Sequence, residues 1–324
     1  QWGGVQQFDF NLSFNWQDQV YGGLTVGAYN VDIHSQTEYA ELLRDANNAT
    51  GVYNMFNAES LTGVGVDVKL GVILRPIEES PFRLGFAVST PTFFNLTQNS
   101  YLYMNSPYGY TADNGQQYDR TEADVEVGDF DYHINTPWKF NLSMATTVGS
   151  VLAFDAEYEF SGQQGAQVRY PDFDYDYWWD SYYSSSTKDR ALAREIDDRM
   201  QAVHTFRVGA EVKLAPGVYG RVGYNYVSSP FKKDAFLNLF TESPSYAYST
   251  NTDYVNLGEI NRFTAGLGFR GKRFYADFAY QYQQQKGDVY AFHLPEAHSM
   301  TNRLEAQSFD LNRHNFMLTL GYRF

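Results

Sequence analysis

Apolar and polar residues alternate with a period of two along most of this chain, and no other feature constrains its fold as strongly. From Phe8 to Trp16 every second residue is large and apolar, and the residues between are Asp, Asn and Ser. The same period returns near 82–88, 152–160, 206–214, 218–226, 262–270, 274–283 and 314–324. Because successive side chains of a strand point to opposite faces, the pattern, with weaker matches elsewhere, predicts about eleven strands.

The predicted connections alternate between short turns and long loops. Short ones contain Gly or Pro, which suit tight turns, as at 215–217 and 271–272. Long ones are predicted near 32–58, 95–129, 163–202, 229–257 and 286–306. Short turns on one side and long loops on the other are typical of an outer-membrane barrel.

We therefore predict an all-β protein: a transmembrane, antiparallel, up-and-down β-barrel that forms a single domain over residues 1–324, with long extracellular loops. A soluble β-sandwich would also alternate. Aromatic residues at predicted strand ends, such as Trp16, Trp138, Tyr224 and Tyr280, favour the membrane barrel, because aromatic residues are enriched at membrane interfaces.

Composition excludes several functional classes. The formal net charge of -14 argues against a nucleic-acid partner, which requires a basic surface. The absence of cysteine excludes disulfides, thiolate metal sites and cysteine nucleophiles. The sequence contains no nucleophile elbow, phosphate-binding loop or metal-ligand pair of histidines, so we predict neither an enzyme nor a bound cofactor or metal.

The direction of the strands raises a question of parity. If the last strand ends in the periplasm, eleven alternating strands make the first one begin outside the cell. Bacterial single-chain barrels have even strand numbers. Either at least one further strand is therefore expected before Gln1, or the pattern merges two strands or hides one.

Two segments carry a family resemblance: SPFRLGFAVSTPTFFNLT, residues 80–97, and INTPWKFNLSMA, residues 134–145. They resemble the FadL/TodX outer-membrane transporters, in particular members from Bacteroidota that carry the label "hemin receptor". The resemblance implies a fourteen-stranded barrel with an N-terminal hatch that takes up long-chain fatty acids or other hydrophobic compounds. It also implies that the hatch and the first three strands are missing from this sequence.

Charged residues occupy the inward faces of the predicted strands. An arginine there could bind a carboxylate ligand through its two-pronged guanidinium group, or these residues could simply pair with one another and with Asp155 and Glu157. The candidate ligand-binding residues are Arg83, Arg207, Glu211, Arg221, Arg262, Asp277 and Arg313.

The predicted loops contain three further features. The stretch PDFDYDYWWD, residues 171–180, could form an aromatic platform that captures apolar ligands, or its rings could pack only against neighbouring loops. The platform candidates are Phe173, Tyr175, Tyr177, Trp178 and Trp179. Small extracellular helices are predicted after the capping box Ser35–Glu38 and near 191–200.

The apolar phase shifts by one residue near Gly128, which predicts a β-bulge where the strand leaves the membrane; a lateral opening in the wall is the alternative. The chain then ends in a predicted closing strand. Its outward residues resemble the signal read by the outer-membrane assembly machinery, a predicted partner. They are Phe316, Leu318, Leu320, Tyr322 and Phe324.

Two functions follow from these patterns. The first is a channel in the bacterial outer membrane, in contact with membrane lipid, for uptake of hydrophobic small molecules such as long-chain fatty acids. The second is a structural barrel within an outer-membrane protein complex that transports nothing. An apolar cavity would favour uptake, and a lumen filled by side chains would favour the structural role.

Overall fold

Antiparallel strands make up most of the chain. A computed structural model describes residues 1–44, 50–106, 110–111, 115–118, 121–176, 181–233, 235–236, 242–244, 253–290 and 305–322. Within these ranges, no helix has the length and apolar character needed to cross a bilayer.

The helices are one α-helix, α1 (Arg190–Arg199), and one 3-10 turn (Gln163–Gly165). The strands before Pro137 are β1 (Trp2–Trp16), β2 (Val20–Arg44), β3 (Thr50–Leu74), β4 (Arg83–Ser89), β5 (Phe93–Ser106), β6 (Tyr110–Thr111), β7 (Gln117–Tyr118) and β8 (Thr121–Asn135). The strands after it are β9 (Lys139–Val148), β10 (Leu152–Gly162), β11 (Gln167–Asp176), β12 (Ser181–Lys188), β13 (Ala202–Ala215), β14 (Val218–Val227), β15 (Tyr254–Arg270), β16 (Phe274–Tyr290) and β17 (Gln307–Tyr322).

All strands except the short pair β6 and β7 belong to one 15-stranded antiparallel sheet. We call each crossing of the sheet from one end to the other a pass. Three passes are each broken into two strands: β4 with β5, β8 with β9, and β10 with β11. If each broken pair is counted as one pass, and the short strand β12, which pairs with β11, is not counted as a pass of its own, the sheet has eleven passes. This confirms the predicted all-β, up-and-down architecture and its strand number.

The outward face is apolar because alternate residues on every pass are large and hydrophobic. On β1 the residues Phe8, Phe10, Leu12, Phe14 and Trp16 are 56–72% exposed. The β1–β2 register continues the apolar surface by placing Leu12 beside Leu24 and Phe10 beside Val26. We call this outward surface the apolar belt. The end of the sheet with the short turns is its lower end, and the end with the long connections is its upper end.

The predicted loop at 32–58 and the helix after Ser35–Glu38 are wrong. Strands β2 and β3 run through this region as an unbroken ladder that continues to the pair Arg44 and Thr50. Local helix signals at 35–46 are overridden because the ladder supplies every paired backbone group with a partner across the hairpin, which an isolated short helix cannot match.

The other long connections are shorter than predicted because strands extend into them. Strands β5 and β8 occupy most of 95–129, β15 reaches into the connection at 229–257, and β16 reaches into the one at 286–306. The predicted helix near 191–200 is confirmed as α1. The bulge at Gly128 is also confirmed, since Gln98 pairs with Phe130 but Ser100 pairs with Val127.

Two proline-containing breaks interrupt the sheet at the same level. They are residues 90–92 between β4 and β5 and residues 136–138 between β8 and β9, and we call them the Thr-Pro breaks. Three residues at 90–92 lie opposite only two on β3, because Ser89 pairs with Lys69 and Phe93 with Val66. This extra residue reverses which side chains face outward above the breaks.

Threonine hydroxyl groups stabilise both breaks. Thr90 Oγ1 accepts a hydrogen bond from Val68 N at 3.0 Å, and Thr136 Oγ1 accepts one from Thr92 N at 2.8 Å. A backbone hydrogen bond joins each of these residue pairs a second time, from Thr90 N to Val68 O and from Thr136 N to Thr92 O. The backbone groups next to each proline are therefore satisfied although the ladder is interrupted.

Strands β1 and β17 are the first and last strands of the sheet and lie at its edges, and β12 is a further edge strand because, among the described residues, it pairs only with β11. In the described part of the chain, β1 pairs with β2 alone and β17 with β16 alone. The expectation that further strands precede Gln1 stays a prediction.

Candidate functional site: the inner face of the sheet

The inner face toward the lower end carries charged side chains among small residues. Here a cavity of about 910 Å³ is lined in part by small residues, including Gly209, Gly223, Gly266 and Ala279. A Cβ atom at Gly209 would lie 2.5 Å from Asp155 Oδ1, so only glycine leaves room for that carboxylate. This half of the interior therefore combines small residues with a few charged side chains.

Two groups of predicted residues meet on this polar surface as ion pairs. Arg207 binds Glu157 and also lies 3.1 Å from Glu159. Arg221 on β14 lies between two carboxylates, 2.6 Å from Glu211 Oε2 on the adjacent strand β13 and 2.6 Å from Asp277 Oδ1 on β16, two strands away on the other side. These two arginines are thus neutralised by the protein itself, as one of the two alternatives predicts.

The remaining predicted arginines have other surroundings. Arg262 donates to Gln283 Oε1 at 2.8 Å and to Asn225 Oδ1 at 3.2 Å, both neutral groups. The guanidinium of Arg83 lies over the Tyr21 ring, 5.5 Å from its centroid. Arg313 is opposite Gln283 across the β16–β17 pair. Among the described residues neither Arg262 nor Arg313 has a carboxylate within ion-pair distance.

Above the Thr-Pro breaks several aromatic rings line the inner face. Phe94 packs edge-on against Tyr29 with 5.6 Å between ring centroids, and Leu96 is only 6% exposed. On the next strands, the Phe130 ring lies 5.5 Å from Tyr132 and 5.6 Å from Tyr170. This upper apolar lining exists because the extra residue at the break turns Phe94, rather than Phe93, toward the interior.

A buried carboxylate lies at the level of the Thr-Pro breaks, and no sequence pattern pointed to it. Asp67 is 5% exposed, and its Oδ2 accepts from Tyr29 Oη at 2.8 Å and Thr92 Oγ1 at 3.2 Å. Lys69 Nζ lies 3.7 Å from Asp67 Oδ1. A Cβ atom on Gly27 would lie 2.4 Å from that oxygen, which explains the glycine there.

Helix α1 is attached at the upper end through Asp189. This carboxylate, 7% exposed, caps the helix by accepting from Leu192 N at 2.8 Å. It also accepts from Ser243 Oγ at 2.6 Å and Tyr170 Oη at 2.9 Å. Burial disfavours the charge, but these hydrogen bonds outweigh it and lower the pKa of Asp189 below its usual range.

The predicted capture platform lies largely outside the described residues. Phe173 and Tyr175 belong to strand β11, and Tyr177, Trp178 and Trp179 fall in the range that is not described. The platform therefore stays a prediction.

Of the predicted assembly signal, Phe316, Leu318, Leu320 and Tyr322 alternate along β17 and are 44–71% exposed. Phe324 is beyond the described residues. In the parts of the chain that the structure covers, no group of three metal-ligating side chains is close enough to hold an ion.

No protein-family model matches this chain, and neither does any curated protein. Among solved structures, the toluene transporter TodX of Pseudomonas putida matches with a TM-score of 0.51 and 12% identity over 99% of this chain and 69% of TodX. The toluene transporter TbuX of Ralstonia pickettii gives 0.49 and 13%, covering 88% of this chain and 66% of TbuX. The monoaromatic hydrocarbon channel CymD gives 0.49 and 10%, covering 87% of this chain and 68% of CymD.

The chain spans about two thirds of the length of these structures. At this level of identity the likeness to TodX concerns the fold and nothing finer, and the assignment to Bacteroidota "hemin receptor" members stays a prediction. The chain has the antiparallel up-and-down β-barrel fold that it shares with the toluene transporter TodX.

Proposed function

We propose that this chain forms the wall of a bacterial outer-membrane channel that takes up hydrophobic small molecules. The observation that carries the proposal is the change in the inner face at the Thr-Pro breaks. Above them Phe94 and Leu96 are turned inward beside other aromatic rings, and below them the lining combines small residues with ion-paired charged ones. The apolar belt supports a location in membrane lipid.

An apolar lining at the upper end suits the first step of uptake. A hydrophobic molecule leaves water favourably when apolar surface covers it, and aromatic rings supply a large area of such surface. Below the breaks, polar groups would bind the same molecule weakly and allow its release. Toluene transport by TodX makes small aromatic compounds a class to test alongside fatty acids.

More specifically, we propose that the channel takes up long-chain fatty acids and that Arg262 binds their carboxylate group. Its hydrogen-bond acceptors are neutral, whereas Arg207 and Arg221 are already neutralised by carboxylates. A guanidinium group binds a carboxylate through two parallel hydrogen bonds. The other candidate residues then have a structural role in the interior of the barrel.

The structural alternative keeps one observation in its favour: the ion pairs of Arg207 and Arg221 cross the inner face and fill part of it. A barrel of this kind would serve an outer-membrane complex without transport. Both proposals require insertion by the assembly machinery, with β17 as the predicted signal. They differ in whether apolar ligands enter.

Uptake of labelled toluene and oleate by cells that produce the full-length protein separates the two. Phe94→Ser removes an inward ring, and Phe93→Ser removes its outward neighbour, which is 46% exposed, as a matched control. We expect Phe94→Ser to slow uptake of both compounds and Phe93→Ser to leave uptake unchanged. Uptake that is no faster than in cells without the protein would support the structural role.

The role of Arg262 requires a comparison of ligands. We expect Arg262→Gln to weaken oleate uptake and leave toluene uptake unchanged, because toluene has no charge to bind. Arg313→Gln on the same face is the control. Equal loss of both ligands would show that Arg262 acts on the structure of the barrel and not on the carboxylate.

A further inference from the structure

A row of polar and basic side chains crosses four strands on the outer surface, directly above the Thr-Pro breaks. Asn95 on β5 pairs with His133 on β8, His133 pairs with Arg169 on β11, and Arg169 pairs with Lys188 on β12. We call these four residues the basic row. Val64 on β3, which pairs with Asn95 and is 57% exposed, shows that this face points outward.

The basic row brings like charges together. Residues directly opposite on antiparallel strands have Cβ atoms about 5 Å apart, and like charges in that position are destabilising. Arg169 and Lys188 occupy such a position, in a chain that carries 38 acidic residues. Within the described residues neither forms an ion pair with a carboxylate. An external anion would relieve this repulsion.

The Arg169 side chain is held in place without being neutralised. Its Nε donates to Ser186 Oγ at 2.9 Å and its Nη2 donates to the Ser186 carbonyl oxygen. Both acceptors are neutral, so the positive charge stays available. Nearby carboxylates are engaged elsewhere: Asp131 accepts from Thr97 Oγ1 at 2.6 Å, and Asp189 is buried with the three donors described above.

The level of the basic row is that of a membrane surface. Below it, the outward residues Phe93, Trp138 and Phe140 are 42–50% exposed and belong to the apolar belt. Above it, the outward residues of β8 are acidic, beginning with Asp131 and Asp129. Basic residues at the boundary between an apolar belt and a polar surface meet the headgroups of membrane lipids.

We propose that the basic row binds the phosphate group of an outer-leaflet lipid headgroup. The proposal rests on the membrane location given under the proposed function. Arg169 supplies a fixed guanidinium fork, Lys188 supplies a flexible ammonium group, and Asn95 and His133 supply further donors along the same row. The lipid chains then lie against Phe93, Trp138 and Phe140 below.

Lipid titration of the purified full-length protein in detergent micelles, followed by native mass spectrometry, tests this site. The probe is dimyristoyl phosphatidic acid, with dimyristoyl phosphatidylcholine and inorganic phosphate as comparisons. For the double variant Arg169→Gln/Lys188→Gln we expect phosphatidic acid to bind roughly 10- to 30-fold more weakly. Lys272→Gln/Arg273→Gln, which removes the same charge from the β15–β16 turn, should bind like the wild type.

Three results would overturn the proposal: equal weakening in the Lys272/Arg273 control, wild-type binding that does not distinguish phosphatidic acid from phosphatidylcholine, or complete competition by millimolar inorganic phosphate. The last would indicate a site for free phosphate. Lys188→Gln alone, which removes no side-chain hydrogen bond to another described residue, should give a partial loss and guards against misfolding of the double variant. Toluene uptake by the same variants reports on the proposed function separately, and we expect it to be unchanged.

Discussion

At the level of single residues, the buried Asp189 carboxylate accepts hydrogen bonds from three donors: Leu192 N, Ser243 Oγ and Tyr170 Oη. Asp189→Ala removes the cap of α1 and leaves the Tyr170 and Ser243 hydroxyl groups without this acceptor. We expect a local loss of about 1–2 kcal/mol. Faster hydrogen exchange over Arg190–Arg199 would show it, with unchanged exchange in β13–β14 as the internal control.

The same residue predicts a dependence on pH. Because the pKa of Asp189 is lower in the folded state than in the unfolded state, its contribution is complete above the unfolded pKa of about 3.9 and disappears as pH falls through the folded value. Exchange in α1 should therefore rise on acidification below about pH 4. In Asp189→Asn this additional rise should be absent, and a rise of the same size would contradict the assignment.

Arg221 gives a second prediction at this scale. Arg221→Gln leaves Glu211 and Asp277 without their shared cation, and since all three side chains are about one-third exposed, we expect a modest loss of about 1–2 kcal/mol. Thermal melting in detergent measures it. Adding Glu211→Gln should restore part of the loss, whereas Arg313→Gln should change nothing.

Sequence alternation was sufficient to predict which charged residues face inward, because the face of a residue follows from its position in a strand. It could not predict their partners. Arg221 finds Glu211 on β13 and Asp277 on β16, and those contacts depend on the register between strands, which one sequence does not reveal. The environment of Asp67 could not be predicted for the same reason: its donors Tyr29 and Thr92 come from β2 and from the first Thr-Pro break.

At the level of strands and helices, the Thr-Pro breaks are the distinctive elements. Thr90→Val together with Thr136→Val keeps the side-chain shape but removes the acceptors for Val68 N and Thr92 N. We expect a loss of about 1–3 kcal/mol for each amide left without a partner. Hydrogen exchange at the Val68 and Thr92 amides should increase. The control is Thr97→Val, which removes a hydroxyl that donates to Asp131 and accepts from neither amide, and it should leave both amides protected.

Sequence signals for these elements varied in strength. The bulge at Gly128 was predictable because the apolar residues themselves change phase there. Proline within a strand pattern marks a break or bulge, so the Thr-Pro dipeptide at 90–91 carries a signal for the reversal there, but the pattern beyond it predicts a loop near 95–129. The Ser35 helix failed because cross-strand pairing outweighs local helix propensity.

At the level of the whole molecule, the length of β1 can be compared with a bilayer. Trp2 and Trp16 lie at opposite ends of this strand and are 53% and 64% exposed. At about 3.3 Å per residue they are about 46 Å apart along the strand, or about 35 Å along the normal of a barrel tilted by about 40°. That distance fits a hydrocarbon core of about 30 Å with a tryptophan at each interface.

Tryptophan fluorescence can test this placement. In variants that keep only Trp2 or only Trp16, reconstituted in lipid bilayers, bromine atoms near the headgroups should quench emission more than bromine atoms at the chain ends. Both residues should respond alike, because both lie at an interface. Stronger quenching from the bilayer centre would contradict the proposed position of the apolar belt.

The one-residue insertion at the Thr-Pro break has a consequence for mutational tolerance. Below it, on β4, even-numbered positions such as Leu84 and Phe86 face outward, and above it, on β5, odd-numbered positions such as Phe93 do. A scan that introduces aspartate at each position should therefore map two opposite parities on one continuous pass, with even positions intolerant before Pro91 and odd positions intolerant just after it. In such a map, the position of Pro91 would be visible as the point where the intolerant positions change from even to odd numbers.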